Sequence, residues 1–474
     1  MDARLPVSVL TAYAEPDEKL IDRLLADEIA ANDTKFVVLD DDPTGVQTVH
    51  DISVFTDWSV QSMVEGFREE NKLFYVLTNS RGMTAEETTK IHREILASVA
   101  EAARVTGKKY SFISRSDSTL RGHYPLETEL LREGTEENGI TCDGEVIYPF
   151  FKEGGRFTID NVHYVKDGDV LIPAAETEFA KDKTFGYTKS AIPEYVEEKT
   201  AGKFKAENVT CISLKDLREV DLDKIESQLM DVTDFNKVCV NSIDYCDVKV
   251  FCIALYRAIA RGKVFMFRTA AGFVKVVGGV SDQPLLSREQ MIVNHNTNGG
   301  VIVVGSHTDK TTKQLNALKQ LDNIEFIELD ARLVRDEEAF EAEIRRCLEL
   351  EEKCIREGKT VCCYTTRALI TADTGDKEDE LKLSVKISDA VQSLVGRLGV
   401  VPSFVIAKGG ITSSDVGTKA LAVKRANVLG QIKAGIPVWQ TGAESRFPGT
   451  PYVIFPGNVG DTDTLKEAAE VLMG

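Results

Sequence analysis

Phe36-Val37-Val38-Leu39-Asp40-Asp41-Asp42-Pro43-Thr44-Gly45 is the stretch on which the fold class turns. An unbroken apolar run passes directly into three carboxylates and a Pro-Thr-Gly turn. An apolar run without polar alternation suits a strand covered on both faces, as in a parallel sheet with helices on either side. In open α/β sheets ligands bind at the carboxyl ends of the strands. Three acids crowded at such an end repel one another, so a metal, an Arg or a Lys is expected beside them.

Outward from this stretch the same alternation recurs. Strands are predicted at Ile52–Phe55, Leu73–Leu77, Tyr110–Ile113 and Val146–Tyr148. Thr84 and Glu87 have capping-box spacing ahead of Ile91, Ile95, Leu96 and Val99, which predicts a helix over 84–103. From Phe150 to about Asn208 the chain turns Gly-, Lys- and Glu-rich, with short alternating runs such as Val170–Ile172, and a β-rich excursion is expected. A second series of strands starts near Gly300: Val301–Val304, Ile324–Leu329, Thr360–Tyr364, Ser403–Ile406 and Tyr452–Phe455. The polar stretch Ser281–Asn298 is the candidate boundary. The expectation is an α/β protein of two domains with mainly parallel sheets facing a cleft, 1–290 and 291–474, with residues 1–35 adding a helix at Lys19–Ala31.

Two more polar clusters end strands of the first half: Thr78-Asn79-Ser80-Arg81-Gly82, and Arg115-Ser116-Asp117-Ser118-Thr119-Leu120-Arg121-Gly122-His123. Arg81, Arg115 and Arg121 at matching positions predict a pocket for a small polar anion, because the planar guanidinium binds two carboxylate oxygens at once. The second half ends its strands differently. Gly305-Ser306-His307, Gly409-Gly410-Ile411-Thr412 and Pro456-Gly457-Asn458-Val459-Gly460-Asp461 each lead from a strand to a predicted helix, starting near Asp309, at Asp415–Arg425, and at Thr464 with Glu467 in capping-box spacing. Glycine lets backbone approach a ligand closely, so three such turns read as a nucleotide phosphate cradle. Neither a Walker A sequence nor G-x-G-x-x-G is present.

Composition sets the limits. The 474 residues carry 57 Lys and Arg against 76 Asp and Glu, a net charge of −19, which disfavours nucleic acid and anionic membrane as partners. There is no apolar run of membrane-spanning length and no export signal near Met1–Leu10, so a cytoplasmic protein is expected. The 9 cysteines lack C-x-x-C spacing and are expected to be reduced and structural. His50, His92, His123, His163, His295 and His307 show no ligand spacing, and His123, although beside the candidate site, reads as packed or solvated.

Asp41–Gly45 (DDPTG), Asn79–Gly82 (NSRG), Arg115–Gly122 (RSDSTLRG), Gly409–Val416 (GGITSSDV), Leu429–Trp439 (LGQIKAGIPVW) and Pro456–Asp461 (PGNVGD) together resemble the four-carbon acid sugar kinases, in that family's order and over nearly the whole chain from Phe36. The resemblance implies an N-terminal domain for a sugar acid such as threonate or erythronate and a C-terminal domain for ATP, with Mg²⁺. It implies acid-sugar contacts at Asp41, Asp42, Arg81, Arg115, Ser116, Asp117, Ser118 and Arg121. ATP contacts would fall at Ser306, Gly409, Gly410, Ile411, Thr412 and Gly457. Arg115 stands where the family commonly has Lys, and the acidic stretch Asp373–Glu380 falls outside its pattern. Asp42 or Asp117 is the expected base for the hydroxyl proton. No metal ligand is assigned, and a homo-oligomer is left open. The alternatives are a HAD-like phosphatase, through Asp40, Asp42 and Thr44 with Thr78, and a two-domain sugar-acid sensor.

Overall fold

The computed structural model describes residues 2–293, 296–367, 370, 377–457 and 459–474, and the side chains of these except 377–381. His295, Asn458 and the acidic stretch at 373–376 lie outside the described residues. The chain forms two compact units, Met1–Thr48 with Asp57–Ser281, and Val49–Thr56 with Asp282–Gly474.

The first unit is built on parallel strands: β1 (Lys35–Asp40), β2 (Leu73–Leu77), β3 (Tyr110–Arg115), β4 (Gly144–Tyr148), β5 (Thr210–Ile212), β6 (Asn236–Val240) and β7 (Phe265–Thr269). Their order is β5-β6-β4-β7-β3-β1-β2, every neighbouring pair parallel. All six residues of β1 are buried, as an unbroken apolar run requires. The helix Ala85–Thr106 starts at the capping box formed by Thr84 and Glu87 and stops at Gly107, whose φ of 67° ends it without Cβ strain. The added helix spans Glu18–Ala31, capped by Asp17, and buries Ile21 and Leu25. The expected β-rich excursion is an antiparallel sheet with the order Leu5–Pro6, Val170–Pro173, Val162–Asp167, Arg156–Ile159.

The second unit contains β8 (Val301–Val304), β9 (Ile324–Leu329), β10 (Thr360–Thr365), β11 (Val405–Lys408), β12 (Arg425–Lys433), β13 (Ile436–Thr441) and β14 (Pro451–Phe455). Strands β14-β11-β8-β10-β9 are parallel, and an antiparallel hairpin, β12 and β13, adjoins β14. No helix among the described residues is long and apolar enough to cross a membrane.

Three local expectations are corrected. Ile52–Phe55 is a strand, but it pairs antiparallel with Arg425–Val428 of the second unit; strand propensity identifies the element and carries no information about its partner. The helix expected at Asp415–Arg425 starts at Gly410 and runs, through a wider π turn, only to Ala420. Ala422, at φ 49°, then turns the chain so that Arg425 opens β12. Thr464 and Glu467 form no capping box: Asp463 is the N-cap, and the Thr464 hydroxyl is taken by Asp461, accepting from its N–H and donating to its carboxylate at 2.8 Å. In the sequence the hairpin of β12 and β13 shows only as a resemblance motif; in the structure β12 alternates between buried and partly exposed positions and Gly435, at φ 77°, lies in the turn.

Candidate functional site

In the first unit β1 has β2 on one side and β3 on the other. Connections leaving its carboxyl end therefore diverge, and that point is where an open parallel sheet offers a crevice. Asp40 ends β1 with Asp41 and Asp42 directly after it, Arg115 ends β3, and Arg81 follows β2. They close on one another as a charged lattice. Arg81 grips Asp41 through Nη2 (2.6 Å) and Nε (3.1 Å) and reaches Asp42 through Nη1 at 3.3 Å. Arg115 Nη1 lies 3.3 Å from both Asp40 and Asp41. Ser116 Oγ donates to Asp41 at 2.8 Å, while Arg121 Nε donates to Asp117 at 2.7 Å. The cation expected beside the acidic turn is thus a set of guanidiniums.

The three aspartates sit in different electrostatic states. Burial is the largest influence on Asp40 and pushes its carboxyl up to about 8, with Asp41 and Asp42 adding to the shift and Arg115 opposing it. At Asp42 burial works the same way, but Arg81 and the Thr44 hydroxyl and N–H, at 2.5 and 2.8 Å, outweigh it and hold the carboxyl below its usual range. Asp117, despite burial, is held well below that range by Arg81 and Arg121. Gly45 makes the packing possible: a Cβ there would lie 2.1 Å from an Asp40 oxygen and 2.3 Å from Arg115 Nε.

This packing removes the phosphatase alternative, because a nucleophilic aspartate must be ionised and reachable. Asp40 is 1% exposed and favours its protonated form, and Thr78 Oγ is buried against the Asp40 carbonyl. Arg81, anticipated as a clamp for a ligand carboxylate, spends its fork on Asp41 instead, leaving two of its five N–H groups. Ser118 contributes through its backbone carbonyl, which accepts from His163. His123 is packed, with Nε2 against the carbonyls of Ser80 and Met83 and its ring edge-on to Phe185.

Behind the lattice lies a layer the sequence reading missed. Glu127, 2% exposed, accepts from Ser80 Oγ at 2.5 Å and from Arg268 Nη1 at 3.3 Å. Arg268 Nη2 also bonds the Arg121 carbonyl at 3.0 Å. A lone Arg in the apolar strand Phe265–Thr269 was the available signal, since a charge at a buried strand position needs a partner.

The second unit repeats the topological argument. Strand β8 lies between β10 and β11, so the divergence falls between the ends of β8 and β11. Gly305–Ser306 follows β8 and Gly409–Gly410 follows β11. A Cβ on Gly305 would lie 2.3 Å from Thr412 Oγ1; one on Gly409 would lie 3.1 Å from Ser306 Cβ, and its φ of 123° already favours glycine. Ser306, Gly409 and Thr412 therefore converge. At Gly410 and Gly457 a Cβ would meet open space, and the Ile411 side chain is 74% exposed.

Lys408, unassigned from sequence, ties two of these turns together. Its Nζ donates to the carbonyls of Pro456 (2.6 Å) and Gly457 (3.1 Å), above the Phe455 ring. Burial, with a smaller contribution from Lys310, brings its pKa down to about 7. No three His, Cys, Asp or Glu side chains cluster as a metal site among the described residues. The nine cysteines are free, and most are buried.

No curated protein matches the sequence. Among solved structures, a Salmonella typhimurium LT2 protein, named only provisionally as a tRNA synthase, superposes with a TM-score of 0.67 at 16% identity, over 92% of this chain and 98% of the other. A Haemophilus influenzae protein of the DUF1537 family gives 0.61 at 17% identity, over 92% and 100%. At such identities the likeness is one of fold. The family models go further: one for a sugar-binding N-terminal domain matches residues 36–277 and one for a nucleotide-binding C-terminal domain matches 301–465. Those spans hold the Asp–Arg lattice and the glycine turns respectively, and with this pair of domains in this order the chain belongs to the four-carbon acid sugar kinase family.

Proposed function

We propose that the protein is an ATP-dependent kinase that phosphorylates a hydroxyl of a four-carbon sugar acid: threonate, erythronate or a keto derivative. The observation that carries this reading is that each unit collects its polar groups at the switch point of its own sheet, charged in the sugar-binding unit and glycine-lined in the nucleotide-binding one. Phosphoryl transfer asks the protein mainly for positioning, charge and a proton acceptor.

Asp42 is assigned as that acceptor. It is the carboxylate of the trio that is both ionised and partly open, and its contact to Arg81 is long at 3.3 Å, so Oδ2 can take a hydroxyl proton. Asp117, drawn down further by two guanidiniums, is a weaker base and orients substrate instead, with Ser116 and Ser118 beside it. The spare N–H groups of Arg81 face a substrate oxygen. On the nucleotide side, Ser306, Gly409, Gly410, Ile411, Thr412 and Gly457 line the phosphate path. Mg²⁺ is taken to travel with the nucleotide's phosphates, its usual mode where the protein supplies few carboxylates.

A coupled assay for ADP, run with four-carbon aldonates and their 2- and 3-keto forms, tests the reading. Acid-dependent ADP release is expected. No release with any of them, or hydrolysis of a simple phosphate ester without ATP, would overturn it. ATP binding without turnover of any acid would turn the reading toward a sensor.

A further inference from the structure

Of Arg81, Arg115, Arg121, Arg156 and Arg268, the first three are paired to Asp40, Asp41, Asp42, Asp117 and Asp182, and Arg268 is paired to Glu127. Arg156 has no carboxylate at ion-pair distance among the described residues. Its Nε is buried with no hydrogen-bond partner, and Nη1 reaches only the Gly154 carbonyl. It opens the first strand of the β excursion, where its backbone bonds to Phe151 in both directions, at 2.9 and 3.1 Å, and fix its base.

Its guanidinium is not remote from the site. Arg156 lies 5.5 Å from the centre of the Phe179 ring, and Arg121, which holds Asp117, lies 5.1 Å from the same ring. Arg121 is answered by Asp117 at 2.7 Å and by Asp182 at 3.8 Å, so of the two guanidiniums gathered at this ring Arg156 is the one without an ion-pair partner among the described residues. A planar fork that is largely desolvated and lacks its counter-charge is costly unless a ligand anion completes it. Burial lowers the pKa of Arg156, with Asp117 opposing, which is the direction expected for a cation awaiting a partner.

We propose that Arg156 receives the carboxylate of the acid substrate and is the residue by which the enzyme selects acids over neutral polyols. The assignment rests on the kinase reading above and replaces Arg81 in the clamp role. Arg156 acts on binding: the carboxylate lies against its Nε and Nη groups, which places the reactive hydroxyl toward the end of β1.

The test compares wild type with Arg156→Gln and Arg156→Lys, using threonate and erythronate against the neutral polyols threitol and erythritol. For Arg156→Gln the KM of the acid should rise about 10- to 150-fold, the strength of a charge-assisted forked contact, with the KM of ATP unchanged. Activity on the polyols should change little, so the acid-over-polyol preference collapses. Arg156→Lys should recover part of it, because charge returns without the fork. A general structural role would instead depress acid and polyol turnover alike and lower the melting temperature. An unchanged acid KM with normal turnover overturns the inference and leaves the kinase reading standing. If wild type turns over no acid, calorimetric binding of threonate decides: equal affinity in wild type and Arg156→Gln overturns it.

Discussion

Replacing Asp40 by Asn should stabilise the protein at neutral pH, although Asp40 sits in the middle of the charged lattice. Its carboxyl is 1% exposed and pushed up to about 8 by burial, whereas an unfolded chain ionises it near 3.8. The folded form therefore holds a proton that the unfolded form has lost. The stability this provides is complete below about 3.8 and is lost progressively as pH rises to about 8. At pH 7 the wild-type chain has forgone about 4 kcal/mol, from roughly three pH units at 1.36 kcal/mol each. Asparagine mimics the protonated acid: its oxygen can still accept from the Asp42 N–H and Arg115 Nη1, which lie 3.4 and 3.3 Å from Oδ1. It pays no ionisation term. The melting temperature should rise by roughly 8–16 °C at pH 7, at about 2–4 °C per kcal/mol for a unit of this size. Thermal scans at pH 5, 6, 7 and 8 should show the gain growing by about 1.4 kcal/mol per pH unit up to pH 7, with that slope falling to about half by pH 8, where the folded carboxyl begins to ionise. A variant that is less stable than wild type at pH 7, or a gain independent of pH, would mean that Asp40 is ionised against Arg115 and that the reasoning fails.

Asp42→Asn keeps the shape and removes the proton acceptor, so kcat should fall by about 10²- to 10⁴-fold with both KM values within a few-fold; an unchanged kcat in steady-state ADP release excludes Asp42 as the base. Nucleotide affinity should weaken as pH rises through about 7, where Lys408 loses its proton, by up to tenfold per pH unit, and calorimetry on Lys408→Met should find that slope gone. Gly409→Ala should cost about 1–3 kcal/mol in chemical denaturation because of the φ of 123°. Gly410→Ala, whose Cβ meets open space, should unfold normally, so any loss there should appear in ATP binding.

The sequence disclosed those parts of the fold whose signal is local. An apolar run ending in Asp40-Asp41-Asp42, and the Thr84 and Glu87 box, depend on a few neighbouring residues, and both stand as read. Ile52–Phe55 was legible as a strand but not as an edge of the second unit, since its partner lies far along the chain at Arg425–Val428. The site divides in the same way. Asp41, Asp42, Arg81, Arg115, Ser116, Asp117 and Arg121 announce themselves as polar residues at strand ends, and they meet. What they do to one another is not written in spacing: that Arg81 faces Asp41, or that Asp40 keeps a proton, follows from burial and from distances of about 3 Å. Glu127 and Arg156 carry no signature at all, being ordinary residues of a helix and a short strand until the chain folds.

The strand Ile52–Phe55 also bears on how the protein can be taken apart. Its flanks, up to Thr48 and from Asp57, belong to the first unit, so the chain lends eight residues to the second and takes them back. A gene fragment that begins at Asp282 codes for a nucleotide-binding unit short of one strand, with the backbone donors and acceptors of Arg425–Val428 laid bare along an edge. Open edges of this kind recruit other strands and precipitate. A cut before Asp282 therefore leaves the second unit incomplete, and supplying residues 49–56 as an added peptide or a spliced hairpin is the way to make it whole.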